Sequence, residues 1–166
     1  MKKPPTLDSL CSQLAEQLLA RAWLLATAES CTGGMIAATC TDLAGSSAWF
    51  ERGYVTYSNR AKTELLGVDA QLIKRHGAVS EAVVRAMASG ALAQSGAHIS
   101  VAVTGVAGPS GGSLDKPVGT VWLAWATGDN VICSREWFDG DRAAVRQATV
   151  RRAIEGLIAL SQQSLI

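Results

Sequence analysis

Leu7, Leu10, Leu14 and Leu18 recur at three- and four-residue steps. That spacing puts them on one face and predicts an amphipathic helix from about Leu7 to Arg21. Trp23-Leu24-Leu25-Ala26 is continuously apolar and reads as a short buried strand. Gly33-Gly34 breaks the run, and Met35-Ile36-Ala37-Ala38 opens a second helix. Ala44-Gly45-Ser46-Ser47 is a loop. Phe50 to Tyr57, aromatic and β-branched, is the second strand. Ser58-Asn59 caps a short helix carrying Lys62, and Gly67 ends it. Another short helix covers Ala70 to Arg75. Ser80, followed by Glu81, caps a helix running to about Gln94. Ala97 to Val103 is a buried strand with Thr104 at its end. Residues 105–117 hold four glycines and two prolines and form a loop. Val118–Ala126 and Val131–Phe138 are joined by Thr127-Gly128-Asp129-Asn130, the signature of an antiparallel hairpin. A last helix starts at Gly140-Asp141 and reaches about Leu160.

Strands thus alternate with helices until a hairpin intervenes. The expected architecture is one three-layer α/β/α domain over residues 1–166, with a mixed, partly antiparallel sheet. Residues 1–6 are expected as a flexible tail. Sites in such folds gather at the carboxyl ends of strands. Ser30, Tyr57 and Thr104 each fall there.

Composition narrows the possible functions. Hydrophobic residues make up 48% and charged residues 17%, which excludes a disordered chain. The net charge of +1, with scattered Lys and Arg, argues against a nucleic-acid surface. No apolar run approaches the roughly 20 residues of a membrane span. Met1-Lys2-Lys3-Pro4-Pro5 has no apolar segment behind it and does not resemble a secretory signal. Cys11, Cys31, Cys40 and Cys133 lack paired spacing and read as reduced thiols of a cytoplasmic protein. His76 and His98 stand far apart without a ligand-rich setting, so no zinc site is expected; no cofactor is expected either. Five tryptophans are compatible with a homodimer.

The chemistry centres on Thr27-Ala28-Glu29-Ser30-Cys31-Thr32-Gly33-Gly34. A strand end delivers Ser30 to the mouth of a helix, with Thr32 as the expected N-cap. Unpaired amides from Cys31 to Gly34 could hold a developing oxyanion, and the glycines permit close approach of substrate. A serine nucleophile needs a base. Lys62 is the candidate, because burial and a nearby helix N-terminus both lower a lysine's pKa. The same lysine could be solvated on its helix. Cys31 is the competing nucleophile, or a small buried residue behind Ser30. Glu29 could orient Lys62 or substrate, or cap the following turn. Thr104-Gly105-Val106-Ala107-Gly108-Pro109 could wrap a sugar or phosphate with backbone amides. Arg142 and Arg146, four apart on one helix face, make a phosphate clamp or a solvated basic face.

Six ordered segments carry a family resemblance. They are Ala28 to Gly34, Tyr57-Ser58-Asn59 with Lys62, His76 to Ser80, Thr104 to Pro109, Lys116 to Val121, and Gly140-Asp141-Arg142. Together they resemble the CinA C-terminal domain family, the nicotinamide-nucleotide amidohydrolases, over about Leu7 to Leu160. The resemblance implies hydrolysis of the carboxamide of nicotinamide mononucleotide to nicotinate mononucleotide and ammonia, without metal. It implies Ser30 as nucleophile and Lys62 as general base, assisted by Tyr57 and Thr104. Cys31, Thr32, Gly33, Gly34, Asn59, Gly105 and Gly108 are the expected substrate contacts. An arginine of the last helix is expected on the phosphate, with Arg142 and Arg146 both open. The extra N-terminal domain of longer members, with its metal-dependent chemistry, is not expected here. Two alternatives stand beside this reading: a non-catalytic nucleotide-binding or protein-interaction module, and an amidase for a related amide.

Overall fold

The computed structural model describes residues 4–163. Residues 1–3 of the expected tail lie outside them, and Thr6 already caps the first helix by accepting from the Ser9 amide at 3.2 Å. The helices are α1 (Leu7–Ala20), α2 (Met35–Thr41), α3 (Asn59–Leu66), α4 (Ala70–His76), α5 (Glu81–Ala93) and α6 (Arg142–Gln163). The strands are β1 (Leu25–Glu29), β2 (Phe50–Val55), β3 (Ile99–Gly105), β4 (Thr120–Thr127) and β5 (Asn130–Trp137). They form one sheet in the order β2-β1-β3-β4-β5. β1 runs parallel to β2 and β3, whereas β4 and β5 are antiparallel additions.

Most caps follow the chemistry of the sequence. Ser58 Oγ accepts from the Ala61 amide, and Ser80 Oγ from that of Val83. Gly67 closes α3 in the left-handed conformation. Boundaries shift by a few residues. β1 begins at Leu25 rather than Trp23, since the Leu24 amide turns aside to His98 Nδ1 at 3.0 Å. β3 extends through Gly105, so Thr104 lies inside the strand rather than after it.

The two sheet faces carry side chains of different size. Leu25, Ile99, Val101, Val103, Val121, Leu123 and Trp125 pack against α1, α2 and α6. Ala26, Ala28, Ala102, Ala124 and Ala126 face the α3–α5 side, where Val83, Val84 and Met87 cover them. The alternation follows the two-residue period of a strand, and small residues let α5 lie close to the sheet. Trp125 needs compensating space on its own side. Its ring lies under Gly156 of α6, where an added Cβ would stand 2.1 Å from it. Its Nε1 donates to the Ala153 carbonyl at 2.9 Å.

The connections place the site. After β1 the chain turns to α2 on one face; after β2 it turns to α3 on the other. Neighbouring strands whose exits diverge leave a crevice at their carboxyl ends.

Candidate active site

Ser30 follows directly on β1 at this crevice. The strand ladder continues on both sides of it. The Ser30 amide donates to the Val103 carbonyl at 3.1 Å, and the Thr56 amide to the Glu29 carbonyl at 2.7 Å. Ser30 is therefore fixed by sheet hydrogen bonding before any side chain acts.

The turn after Ser30 differs from the expectation. Thr32 does not cap α2. Gly34 occupies the N-cap at φ +105°, with Gly33 at φ +57° before it. Two successive left-handed residues are readily accommodated only by glycine. The cap is supplied instead by Glu29, fully buried at the end of β1. Its carboxylate accepts from the Ile36 amide at 2.8 Å, the Ala37 amide at 3.0 Å and the Thr32 hydroxyl at 2.6 Å. A carboxylate on the helix N-terminus satisfies donors that have no intrahelical partner. Glu29 thus caps the turn and touches neither Lys62 nor the cavity. The helix-mouth amides it occupies are not available to an oxyanion. Gly33 also commits its amide, to the Ser30 carbonyl at 3.1 Å. Among the described residues, the Cys31 and Thr32 amides donate to no backbone carbonyl.

Lys62 reaches Ser30 from α3. Its Nζ lies 2.9 Å from Ser30 Oγ, 2.9 Å from the Thr56 carbonyl oxygen and 3.4 Å from that of Tyr57. The side chain is 1% exposed, so the alternative of a solvated helix lysine is not what the fold shows. Burial pulls the amine below its ordinary pKa, because the charged form loses hydration. Among the described residues Lys62 has no salt-bridge partner. A neutral amine here gives its two hydrogens to the two carbonyls and keeps a lone pair for the Ser30 hydroxyl. Cys31, next to the serine, is buried at the cavity wall. Burial pushes its thiol up to about 11, so it is not a thiolate at neutral pH.

Ser30 and Lys62 open onto a cavity of about 230 Å³, walled also by Tyr57, Asn59, Ala78, Val79 and Thr104. Cys31, Gly105, Ala107 and Arg142 complete the wall. The Thr104 hydroxyl donates to the Ala78 carbonyl at 2.9 Å, which turns its lone pairs outward. Tyr57, 60% exposed, stands at the rim, where its hydroxyl accepts from Arg142 at 3.0 Å. Arg142 also donates to the Gly108 carbonyl at 2.8 Å, tying the 105–117 loop to the rim. A second cleft of about 630 Å³ adjoins, sharing Ala107 and Arg142 and bordered by Pro109, Gly140 and Arg146.

The two arginines hold different places. Arg142 lines both spaces, whereas Arg146 is half-buried and borders only the second. Arg146 Nε donates to the Cys31 carbonyl and its Nη2 to the Thr32 carbonyl, both at 3.1 Å. Thr32, Gly33, Gly34 and Gly108 do not wall the smaller cavity. Ala78 and Val79 do, and a sequence reading based on polar side chains passes over them. The Thr56 carbonyl is likewise invisible to it, since a backbone acceptor has no residue signature.

The fold and site define a three-layer α/β domain with a buried lysine on a serine at the strand ends. The model of the CinA C-terminal domain matches residues 7–161, and the chain belongs to that family. It is 55% identical over 157 residues to the nicotinamide-nucleotide amidohydrolase PncC of Pseudomonas putida, covering 95% of this chain and 98% of that one. The nicotinamide-nucleotide amidohydrolase PncC of Escherichia coli K12 is 54% identical over 155 residues, with 90% and 94% covered. Among solved structures, the competence/damage inducible protein CihA of Agrobacterium tumefaciens superposes with a TM-score of 0.91 at 45% identity, covering 96% and 99% of the two chains.

Proposed function

We propose that the protein hydrolyses the carboxamide of nicotinamide mononucleotide, giving nicotinate mononucleotide and ammonia, with Ser30 as nucleophile and neutral Lys62 as general base. The 2.9 Å approach of a buried lysine amine to Ser30 Oγ carries this reading. Similarity to amidohydrolases over nearly the whole chain supplies the substrate class.

Lys62 takes the Ser30 proton as Oγ attacks the carboxamide carbon. The Cys31 amide, at the cavity wall, stabilises the oxyanion. The protonated lysine gives its proton to the departing ammonia. Water then attacks the acyl-serine, Lys62 taking its proton and returning it to Ser30 Oγ as the acyl C–O bond breaks, and the acid product leaves as its carboxylate. The small cavity holds the pyridine ring with its amide, against Thr104 and Asn59. Ribose and phosphate extend into the adjoining cleft past Tyr57, with Arg142 on the phosphate.

The test is ammonia release from nicotinamide mononucleotide by the wild type beside Ser30→Ala and Lys62→Ala. Turnover removed by both substitutions is expected. A folded wild type that releases no ammonia sinks the reading and favours a nucleotide-binding role.

A further inference from the structure

The backbone that follows Ser30 is held from both sides. Gly33 and Gly34, at φ +57° and +105°, make it a segment of high intrinsic freedom. Its amide side is gripped by Glu29, through the Ile36 and Ala37 amides and the Thr32 hydroxyl. Its carbonyl side is gripped by Arg146, more than a hundred positions away on α6, and the Met35 amide shares the Thr32 carbonyl at 3.1 Å. The guanidinium is a planar fork, and its two donors take the successive carbonyls of Cys31 and Thr32. Because a peptide unit is planar, fixing those oxygens fixes the 31–32 and 32–33 peptide planes. The Gly33 amide, in the second of these planes, is then directed to the Ser30 carbonyl at 3.1 Å.

We propose that Arg146 is a positioning residue for the hydrolysis: it holds the turn that sets Ser30 Oγ against Lys62. Arg142, which lines both cavities, is the residue assigned to the substrate phosphate. The inference rests on Ser30 being the nucleophile.

The experiment compares kcat and KM for nicotinamide mononucleotide in wild type, Arg146→Ala, Arg146→Lys and Arg142→Ala. A lysine keeps the charge but loses the fork. In both Arg146 variants kcat is expected to fall about tenfold to a hundredfold, as for a sub-ångström to ångström misplacement of reacting groups. KM is expected to stay within about twofold, because ground-state binding is untouched. Arg142→Ala is expected to raise KM instead. Added guanidinium ion is expected to restore part of the Arg146→Ala rate. A raised KM with kcat retained would assign Arg146 to the phosphate and overturn the proposal, as would unchanged kinetics. A lowered melting temperature with a kcat loss that guanidinium does not restore would make the residue merely structural and would overturn the proposal too. An inactive wild type in this assay strikes at the proposed function, whereas an active wild type with unaffected Arg146 variants strikes at Arg146 alone.

Discussion

Lys62 Nζ and Ser30 Oγ lie 2.9 Å apart at the carboxyl end of the sheet, the lysine approaching from a helix on the face opposite α2. Two backbone carbonyls take the remaining hydrogens of a neutral amine. Lys62→Met keeps the length of the side chain and removes the base. Ammonia release is expected to fall by at least about a hundredfold, the lower range for losing a positioned base. A cooperative melting transition should remain. Lys62→Arg should be equally inactive, because a guanidinium stays protonated. An active Lys62→Arg would exclude a neutral base at this position.

The pH dependence follows from the direction of the lysine shift. Burial lowers the Lys62 pKa, and only the deprotonated amine accepts the serine proton. kcat/KM should therefore rise with pH and level off, with a midpoint below the ordinary lysine value of about 10.4. Measured from acid to alkaline buffers, a profile without an acid limb would contradict a lysine base.

Cys31 adjoins Ser30, yet its thiol is raised to about 11 by burial. Cys31→Ala should stay active, and iodoacetamide at neutral pH should modify Cys31 slowly. Rapid alkylation at Cys31 that abolishes turnover would place the chemistry on sulfur instead. Quantitative mass spectrometry beside the activity assay decides between them.

Gly156 tests the fold away from the chemistry. A Cβ there would meet the Trp125 ring at 2.1 Å, and Trp125 is 2% exposed with no room to retreat. Gly156→Ala should cost about 1–3 kcal/mol, the range for overpacking a core. Urea titration reads the stability. The rate per folded molecule should be unchanged, since the contact lies outside both cavities.

The sequence was most legible where one residue decides a local structure. Leu7 to Leu18 sets α1 by spacing; Ser58, Gly67 and Ser80 set helix ends; Gly128-Asp129 sets the hairpin between β4 and β5. The strand-end placement of Ser30 and Tyr57 came from the same signals. What failed was the cap of α2. Thr32 has the side chain of an N-cap, but the buried Glu29 carboxylate outcompetes a hydroxyl for amides seven and eight positions ahead. That competition depends on the turn angles of Gly33 and Gly34, which spacing does not reveal. The separate places of Arg142 and Arg146 were hidden for a related reason. They share a helix face, yet one turn of rise puts one at the rim and the other against the Cys31 and Thr32 carbonyls.

On the proposed role of Arg146, α6 also sets when the protein becomes active during synthesis. Ser30 and Lys62 both lie in the first half of the chain and emerge from the ribosome early. At that stage β1 has β2 on one side only, and its other edge waits for β3. The apolar face above Leu25 waits longer, for Leu157 and its neighbours on α6. A nascent chain therefore carries Ser30 and Lys62 long before it carries Arg146, which holds the turn after Ser30. α6 follows β1–β5 in the chain and completes the core and the turn after Ser30 together, so chains released before α6 is made should be inert.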